Sequence, residues 1–332
     1  MASLKEIKGR IASVSSTLKI TSAMKMVASA KLHKAQAAIG NMLPYEQRLS
    51  RILAHLLAVS EQPAGSSSQI TRENAPLNQH AALSTATSSE TSGQYVPSDE
   101  HIPKFPAKKR EHTARTGGEV GRVAVVAFSS NSSLCGGFNA AVIRKTLAVV
   151  KKWEQEGAKV TVFSVGRKMA EAMRKAGHPT PADYTKLADM PSYEGAAALA
   201  DSLIEAFDAG SFDRVELVYN HFRSTASQPT QYEVYLPFSA DSLPEAAPVD
   251  YILEPSREEL IAQLVPTFQR LRIYTTLLDA NAAEHAARTV AMQTATDNGN
   301  NLLQELTLEY NKSRQQKITS EILDLVGGTL QQ

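Results

Sequence analysis

The sequence predicts an α/β domain inserted between two long helices that pair with each other as an antiparallel coiled coil. Three observations predict this class. Apolar residues recur at intervals of three and four at both ends of the 332-residue chain, which is the pattern of a coiled-coil seam. The middle of the chain alternates short apolar runs with helical patterns, as α/β domains do. The C-terminal helix would be roughly 100 Å long, so it needs a partner helix of comparable length.

Composition limits the class of protein. With 42% hydrophobic residues and a formal net charge of +1, the chain can build an ordinary core. No run approaches the ~18 apolar residues that a membrane-spanning helix needs. A single cysteine excludes an internal disulfide and a cysteine-rich metal site. The eight histidines are scattered, so we expect no metal and no cofactor.

Residues 1–59 are predicted to form the first coiled-coil helix. Ser3 and Glu6 fit a capping box before the apolar stripe. Pro44 should kink the helix or split it. The predicted seam residues are Leu4, Ile7, Ile11, Val14, Leu18 and Thr21, then Met24, Val27, Leu32, Ala35 and Ile39, and after Pro44 Leu49, Ile52, Leu53 and Leu56.

Residues 60–117 have a different composition, rich in Ser, Thr, Gln, Pro and Ala and without a sustained period. Such a segment cannot bury much apolar surface, so we predict a low-complexity insertion that is disordered or loosely attached. The basic run 108–110 could bind nucleic acid, but a solvated loop is the favoured interpretation.

Residues 118–256 are predicted to form the α/β domain. The run 122–130 has the continuous apolar character of a buried strand, and 159–166 is a second strand. Helical patterns follow each of them, the second ending at Gly177. Another helix is predicted over 194–210. Two alternating runs, 214–222 and 230–238, predict a hairpin that makes the sheet mixed, and 239–256 is a proline-rich linker.

The motif "SLCGGFNAAV" lies between the first strand and its helix. Gly136 and Gly137 could open a phosphate-binding loop, but the motif lacks G-x-G-x-x-G spacing and the Lys-Ser/Thr of a P-loop. A tight turn packed against another protein is the favoured alternative. Cys135 could be a nucleophile beside a histidine, with His178 and His221 the nearest in the domain. A structural thiol is favoured because nothing in the sequence fixes either histidine beside it.

Residues 257–328 are predicted to form the second coiled-coil helix. Its seam includes Leu260, Leu264, Phe268, Leu271, Tyr274 and Leu278, and later Leu302, Leu306 and Tyr310. Gly327 and Gly328 are predicted to end it. Between the two seam segments the sequence is rich in small residues.

The N-terminal stretch "KITSAMKMVASAKLHKAQAA" is slim and basic, with Lys as its only charged residue type. It could lie on a membrane, bind nucleic acid or face an acidic protein. The membrane alternative lacks bulky apolar side chains, and the seam already requires a partner helix. An acidic protein partner therefore fits best, against the alternative of a merely solvated basic face.

Two terminal segments carry a family resemblance. "SLKEIKGRIASVSSTLKITSAMKMVASAKL" and "AAEHAARTVAMQTATDNGNNLLQELTLEYNKSRQQKITSEILDLVGG" resemble the two signatures of the gamma subunit of rotary F-type ATP synthase, and "SLCGGFN" is similar to its central glycine motif. The resemblance covers both ends and the middle but not 60–117. It implies a coiled coil with an inserted Rossmann-like domain, acting as the central rotor stalk of a proton-translocating ATP synthase. The chain would be non-catalytic, coupling rotation of the membrane c-ring to conformational cycling of the catalytic beta subunits.

The resemblance also implies partners and a location. The partners would be the alpha and beta subunits of the hexamer, the epsilon subunit and the c-ring, with no nucleic acid and no direct nucleotide binding. The chain would be peripheral, at the cytoplasmic face of a bacterial inner membrane. Two alternatives stay open at this point: an α/β enzyme with a coiled-coil dimerisation arm, and a nucleic-acid-binding coiled-coil protein.

The resemblance finally implies which residues meet partners: Met24, Lys25, Cys135, Gly136, Gly137, Arg314, Gln315 and Thr319. Lys25 is expected on the exposed side of the coiled coil, near an acidic loop of beta, with Met24 closely packed. One departure is clear. The family usually has an acidic–basic pair before the glycine motif, whereas this chain has Asn131, Ser132 and Ser133 before Leu134. A charged contact at that turn therefore cannot be carried over.

Overall fold

The computed structural model describes residues 3–58, 121–239, 243–244 and 252–329, so the predicted insertion 60–117 lies outside the described residues. The helices are α1 (Leu4–Ala58), α2 (Phe138–Gln155), α3 (Arg167–Lys175), α4 (Thr185–Asp189), α5 (Tyr193–Asp208) and α6 (Arg257–Thr329). The strands are β1 (Arg122–Phe128), β2 (Lys159–Val165), β3 (Arg214–Asn220) and β4 (Thr230–Leu236). The prediction missed α4, a single short turn of helix in the segment that leads to α5.

The two long helices, α1 and α6, pair antiparallel, which confirms the predicted coiled coil. The Thr296 hydroxyl lies 3.2 Å from that of Thr21, and Gly299 lies against Leu18. Farther along, Leu32 and Ala35 of α1 form a buried cluster with Ala282 and Ala286 of α6. At the other end Leu49 and Leu53 share a cluster with Phe268 and Leu271. Small residues in the middle of the seam keep this part of the coiled coil thin.

The predicted seam is wrong at three positions. Val27 is 58% exposed, and the buried seam residue is Ala28 instead. Ile52 and Leu302 are likewise exposed. Leu53, which was also predicted in the seam, is buried, and Leu303 rather than Leu302 is half-buried. An α-helix advances 3.6 residues per turn, so the choice between a step of three and a step of four depends on the partner helix. A list of apolar residues alone does not decide that choice.

Helix-breaking residues do not divide either long helix. Pro44 lies inside α1, which is not split there. Proline removes one hydrogen bond to the carbonyl of Gly40, but both residues are exposed, so water can reach that carbonyl. The C-terminal helix was predicted to end at Gly327 and Gly328, and α6 ends one residue later, at Thr329. Glycine lowers helix propensity by only about 1 kcal/mol.

The sheet is four-stranded, in the order β2-β1-β3-β4. β1 is parallel to β2 and to β3, and the β3–β4 pair is antiparallel, which confirms the predicted mixed sheet. One face packs on α2 and α3. The other face packs on α4, α5 and the first third of α6, whose Ile273, Leu277 and Ala280 belong to the core of the domain. The α/β domain is therefore built directly on one helix of the coiled coil.

Candidate functional site

The glycine turn between β1 and α2 packs on α6 of the same chain. Leu134 and Gly136 have positive φ angles of 68° and 57°, which reverse the chain before α2. Cys135 is 2% exposed and packs with Ala283 of α6. Its Sγ accepts a hydrogen bond from the Asn139 amide nitrogen at 3.1 Å. Three interface residues were predicted at this turn. Gly136 and Gly137 are exposed, whereas Cys135 is buried and cannot contact a partner directly.

The two histidines considered as partners of Cys135 pair with acids. His178 lies 3.3 Å from Glu154, and the Nδ1 of His221 lies 2.6 Å from Asp279. Cys135 is surrounded by Ser130, Ser132 and Asn139. These contacts support the favoured prediction, a structural thiol.

Side chains of the domain itself fill the edge where a parallel α/β sheet usually binds phosphate. The N–H of Arg167 donates to Asn131 Oδ1 at 2.8 Å, and that of Met169 donates to Ser129 Oγ at 2.9 Å. These amides at the start of α3 are the donors that a phosphate group would use. Gly166, at φ 105°, lies so close to Ser129 that a Cβ there would be 2.3 Å from the Ser129 carbonyl oxygen. The edge is therefore closed by tight packing.

A buried ionic cluster joins the glycine turn to α6. Arg288 donates to Glu284 Oε1 and to Ser132 Oγ, each at 2.7 Å. Burial raises the pKa of Glu284, although Arg288 opposes the change. Burial and then the Arg288 charge lower the pKa of His285 to about 4. The turn lacks the acidic–basic pair that the family usually has before the glycine motif. Here the charged group that contacts the turn is Arg288 of α6, through Ser132.

A second ionic cluster joins three elements. Arg272 of α6 donates to Glu46 of α1 at 2.8 Å and to Glu233 of β4 at 2.6 Å. Burial alone would lower the pKa of Arg272, but Glu233 and Glu46 raise it, so the guanidinium keeps its charge. Arg270 also binds Asp201 of α5 at 2.6 Å. None of these residues was predicted to have a role, because they are far apart in the chain and match no motif.

The partner contacts predicted on the coiled coil differ in their exposure to solvent. Met24 and Lys25 are both half-buried, whereas Lys25 was predicted to be exposed and Met24 closely packed. Arg314, Gln315 and Thr319 are exposed, as a partner contact requires. Exposed apolar residues also occur on the outer side of α1, at Ile20 and Met26. The register of Leu18 with Gly299 and Thr21 with Thr296 places Met24 and Lys25 beside about residues 292–293 of α6, far along the helix from Arg314.

The end of α6 extends past the described start of α1. Continuing the register of Leu18 with Gly299 and Thr21 with Thr296 places Leu4 beside about residue 313. Beyond that point α6 runs to Thr329. Ile318, Ile322, Leu323 and Leu325 are all exposed there. Across the described ranges, none of the helices is long and apolar enough to cross a membrane.

Comparisons with known proteins agree with this architecture. A family model described as ATP synthase matches residues 3–330. The ATP synthase gamma chain of Phocaeicola vulgatus is 47% identical, over 99% of this chain and 100% of its own length. That of Flavobacterium johnsoniae is 38% identical, over 99% and 98%. The rotor structure of the Euglena gracilis mitochondrial ATP synthase has a similar fold, with a TM-score of 0.56 at 17% identity, covering 95% of this chain and 98% of that one. With such relatives over nearly its full length, the chain belongs to the family of ATP synthase gamma chains.

Proposed function

We propose that this chain is turned by a membrane ring of c subunits, and that its turning drives the catalytic beta subunits through their open and closed conformations. As a gamma chain it is a non-catalytic subunit of the central stalk of ATP synthase. The chemistry of ATP synthesis therefore takes place on other chains, and this chain contributes by transmitting a change of conformation.

The observation that carries this proposal is the group of exposed apolar side chains at the end of α6. Exposed apolar side chains in a group mark contact with another surface. Ile318, Ile322 and Leu325 recur at intervals of four and three along this end, so they share one face of the helix. A closed ring of alpha and beta subunits would enclose such an end, with Arg314, Gln315 and Thr319 contacting it. A helix that rotates inside this ring needs no strong, specific contacts with it, and short apolar and polar side chains provide weak ones.

The basic part of α1 supplies the second contact with the hexamer. Lys19, Lys31 and Lys34 are exposed and Lys25 is half-exposed, so this surface attracts acidic loops of beta. Attraction between exposed charges is worth about 1 kcal/mol or less, which permits sliding. Met24 lies beside Lys25 and would contact the same loops.

The α/β domain supplies the contacts at the membrane end, through the epsilon subunit and the c-ring, with Gly136 and Gly137 exposed on its surface. This location implies a peripheral position at the cytoplasmic face of a bacterial inner membrane. The closed edge at Ser129 and Asn131 supports the expectation that the chain binds no nucleotide directly, and we propose no role in binding nucleic acid.

Co-purification tests the proposal. A tagged chain should recover alpha and beta subunits from the organism's own membranes. Replacing Ile318, Ile322 and Leu325 together by serine should lower this recovery. A matched variant, Met190→Ser, removes another exposed apolar side chain, one in the α/β domain, and should recover them normally. If the unaltered chain recovers neither subunit, the proposal is wrong.

A further inference from the structure

A cavity of about 410 Å³ lies between the coiled coil and the β3–β4 hairpin. Ile39 and Met42 of α1 form an apolar wall, and Tyr219, Glu233 and Asp279 are among its polar lining residues. Small organic ligands generally occupy cavities of roughly 300–1,000 Å³ that combine apolar walls with a few polar groups. This cavity has both the size and the composition of such a site.

Two polar atoms of this site have no hydrogen-bond partner within the described ranges. Tyr219 is only 7% exposed, but its hydroxyl, which has no hydrogen-bond partner within the described ranges, is open to the cavity that the residue lines. Glu233 accepts from Arg272 with Oε2, but its Oε1 is buried without a partner among those residues. Because Tyr219 pairs with Gln231 and Leu217 with Glu233, Tyr219 and Glu233 are diagonal neighbours on one face of the hairpin. Buried polar atoms are nearly always hydrogen-bonded, so Glu233 Oε1 favours a ligand that supplies a donor. The Tyr219 hydroxyl beside it can accept a second hydrogen bond.

The charge of the lining favours a cation. Glu46 and Glu233 share the single guanidinium of Arg272, which leaves one negative charge in excess. Asp279 is already held by His221 and by the N–H of Phe222. Burial and then Glu233 raise the pKa of Tyr219, so the phenol stays neutral and its oxygen can accept an N–H. The described residues contain no group of three or more His, Cys, Asp or Glu side chains placed to hold a metal ion, which favours an organic cation.

We infer that this cavity binds a primary ammonium or guanidinium group carried on an aliphatic stem. The N–H groups donate to Glu233 and Tyr219, and the stem lies along Ile39 and Met42. Such a group could belong to a free aliphatic amine or to a lysine or arginine side chain of a neighbouring chain. Both present the same chemistry to the cavity, and the experiment distinguishes them.

Calorimetry on the purified full chain tests the site with pentylamine as the probe. Pentanol and pentanoate have similar stems without the positive charge. Pentylamine should bind about tenfold more tightly than either, because a charge-assisted hydrogen bond replaces a neutral or repulsive contact. Glu233→Gln and Tyr219→Phe should each weaken pentylamine binding several-fold. The exposed pair Glu205→Gln and Tyr193→Phe, both on α5, should leave it unchanged.

The assembled complex identifies the source of the amine. If a neighbour's side chain fills the cavity, assembly abolishes pentylamine binding. A carbodiimide then joins Glu46 or Glu233 to a neighbour's lysine, whereas an arginine gives no such product. If the complex binds pentylamine as the free chain does, the natural ligand is a free amine. Equal binding of pentylamine and pentanol by the chain would overturn the inference, as would unchanged binding by Tyr219→Phe, which keeps the aromatic ring and hence the packing.

Discussion

Leu18 of α1 packs against Gly299 of α6 across the seam, so closely that residue 299 has no room for a side chain. A Cβ built on Gly299 would lie 2.6 Å from Leu18 Cδ2, so the two helices touch there because residue 299 has no side chain. The Leu18 side chain therefore lies directly on the backbone of Gly299, in the space that a side chain at this position would need.

Gly299→Ala should therefore destabilise the chain. Overpacking typically costs about 1–3 kcal/mol, which outweighs the gain of up to about 1 kcal/mol in helix propensity. Gly40→Ala is the matched control, because nothing lies within 4 Å of its added Cβ, and it should stabilise slightly. Urea unfolding of the full chain measures both. The double variant Leu18→Ala/Gly299→Ala should be less destabilised than the two single changes predict together, and strict additivity would contradict this account.

Glu216 should be essential to the stability of the α/β domain. It is fully buried and accepts from Trp153 at 2.8 Å, from Arg214 at 2.7 Å and from Tyr232 at 2.6 Å. Glu216→Leu leaves these donors unpaired, which typically costs about 3–5 kcal/mol when a buried charge loses its partner. Trp153 is the only tryptophan of the chain, so its fluorescence reports the change directly. Glu205→Leu on the exposed side of α5 should cost less than about 0.5 kcal/mol.

Stability should fall as the pH is lowered from about 6.5 towards 4. In the folded chain the pKa of His285 is lowered to about 4, while an unfolded chain binds that proton near pH 6.5. The unfolded state therefore holds more protons in this window, and stability rises with pH across it. His285→Gln should flatten the dependence by on the order of 1 kcal/mol, measured by urea unfolding at pH 7, 6 and 5. A variant with the unaltered slope would show that other groups dominate.

Charge reversal on α1 should affect coupling rather than folding. Lys25→Glu would repel the acidic loops proposed to lie beside it, at a cost of about 1 kcal/mol or less to stability. Proton pumping per ATP hydrolysed, measured in membrane vesicles, should fall more than the yield of complex. Leu18→Asp should act oppositely, because a charge in the seam costs several kcal/mol and assembled complex should be lost. If Lys25→Glu abolishes assembly while Leu18→Asp pumps normally, the assignment of seam and outer surface is wrong.

The purified chain should bind ATP negligibly and hydrolyse none. The amides at the start of α3 already donate to Asn131 and Ser129, so a phosphate would have to displace them. Calorimetry with ATP and magnesium measures this. Micromolar binding that is lost on changing Gly136 or Gly137 would reopen the possibility of a nucleotide site at the glycine turn.

The strands and the pairing of the two long helices could be predicted because each follows a short-range rule. The run Val123–Phe128 is apolar throughout and is buried on both faces, and the spacing of three and four identifies a seam. The polar junctions could not be predicted in this way. Arg272 and Glu46 are 226 residues apart, and no spacing rule connects such residues. The error at Val27 has a different cause. Whether Val27 or Ala28 is buried depends on the position of the opposite helix, which a single-helix pattern does not give.

Ile273, Leu277 and Ala280 make α6 part of the core of the α/β domain, and the same helix continues to Thr329. The domain cannot swivel about this helix without exposing apolar surface at a cost of about 25 cal/mol per Å². Torque applied to the domain is therefore transmitted directly to α6, because the two share one core. We expect torsional strain to be stored in α6 beyond Ala280, where the alanine-rich seam makes few contacts with α1. The alanine-rich part of the coiled coil is therefore expected to twist more easily than the part of α6 that is held in the core of the α/β domain.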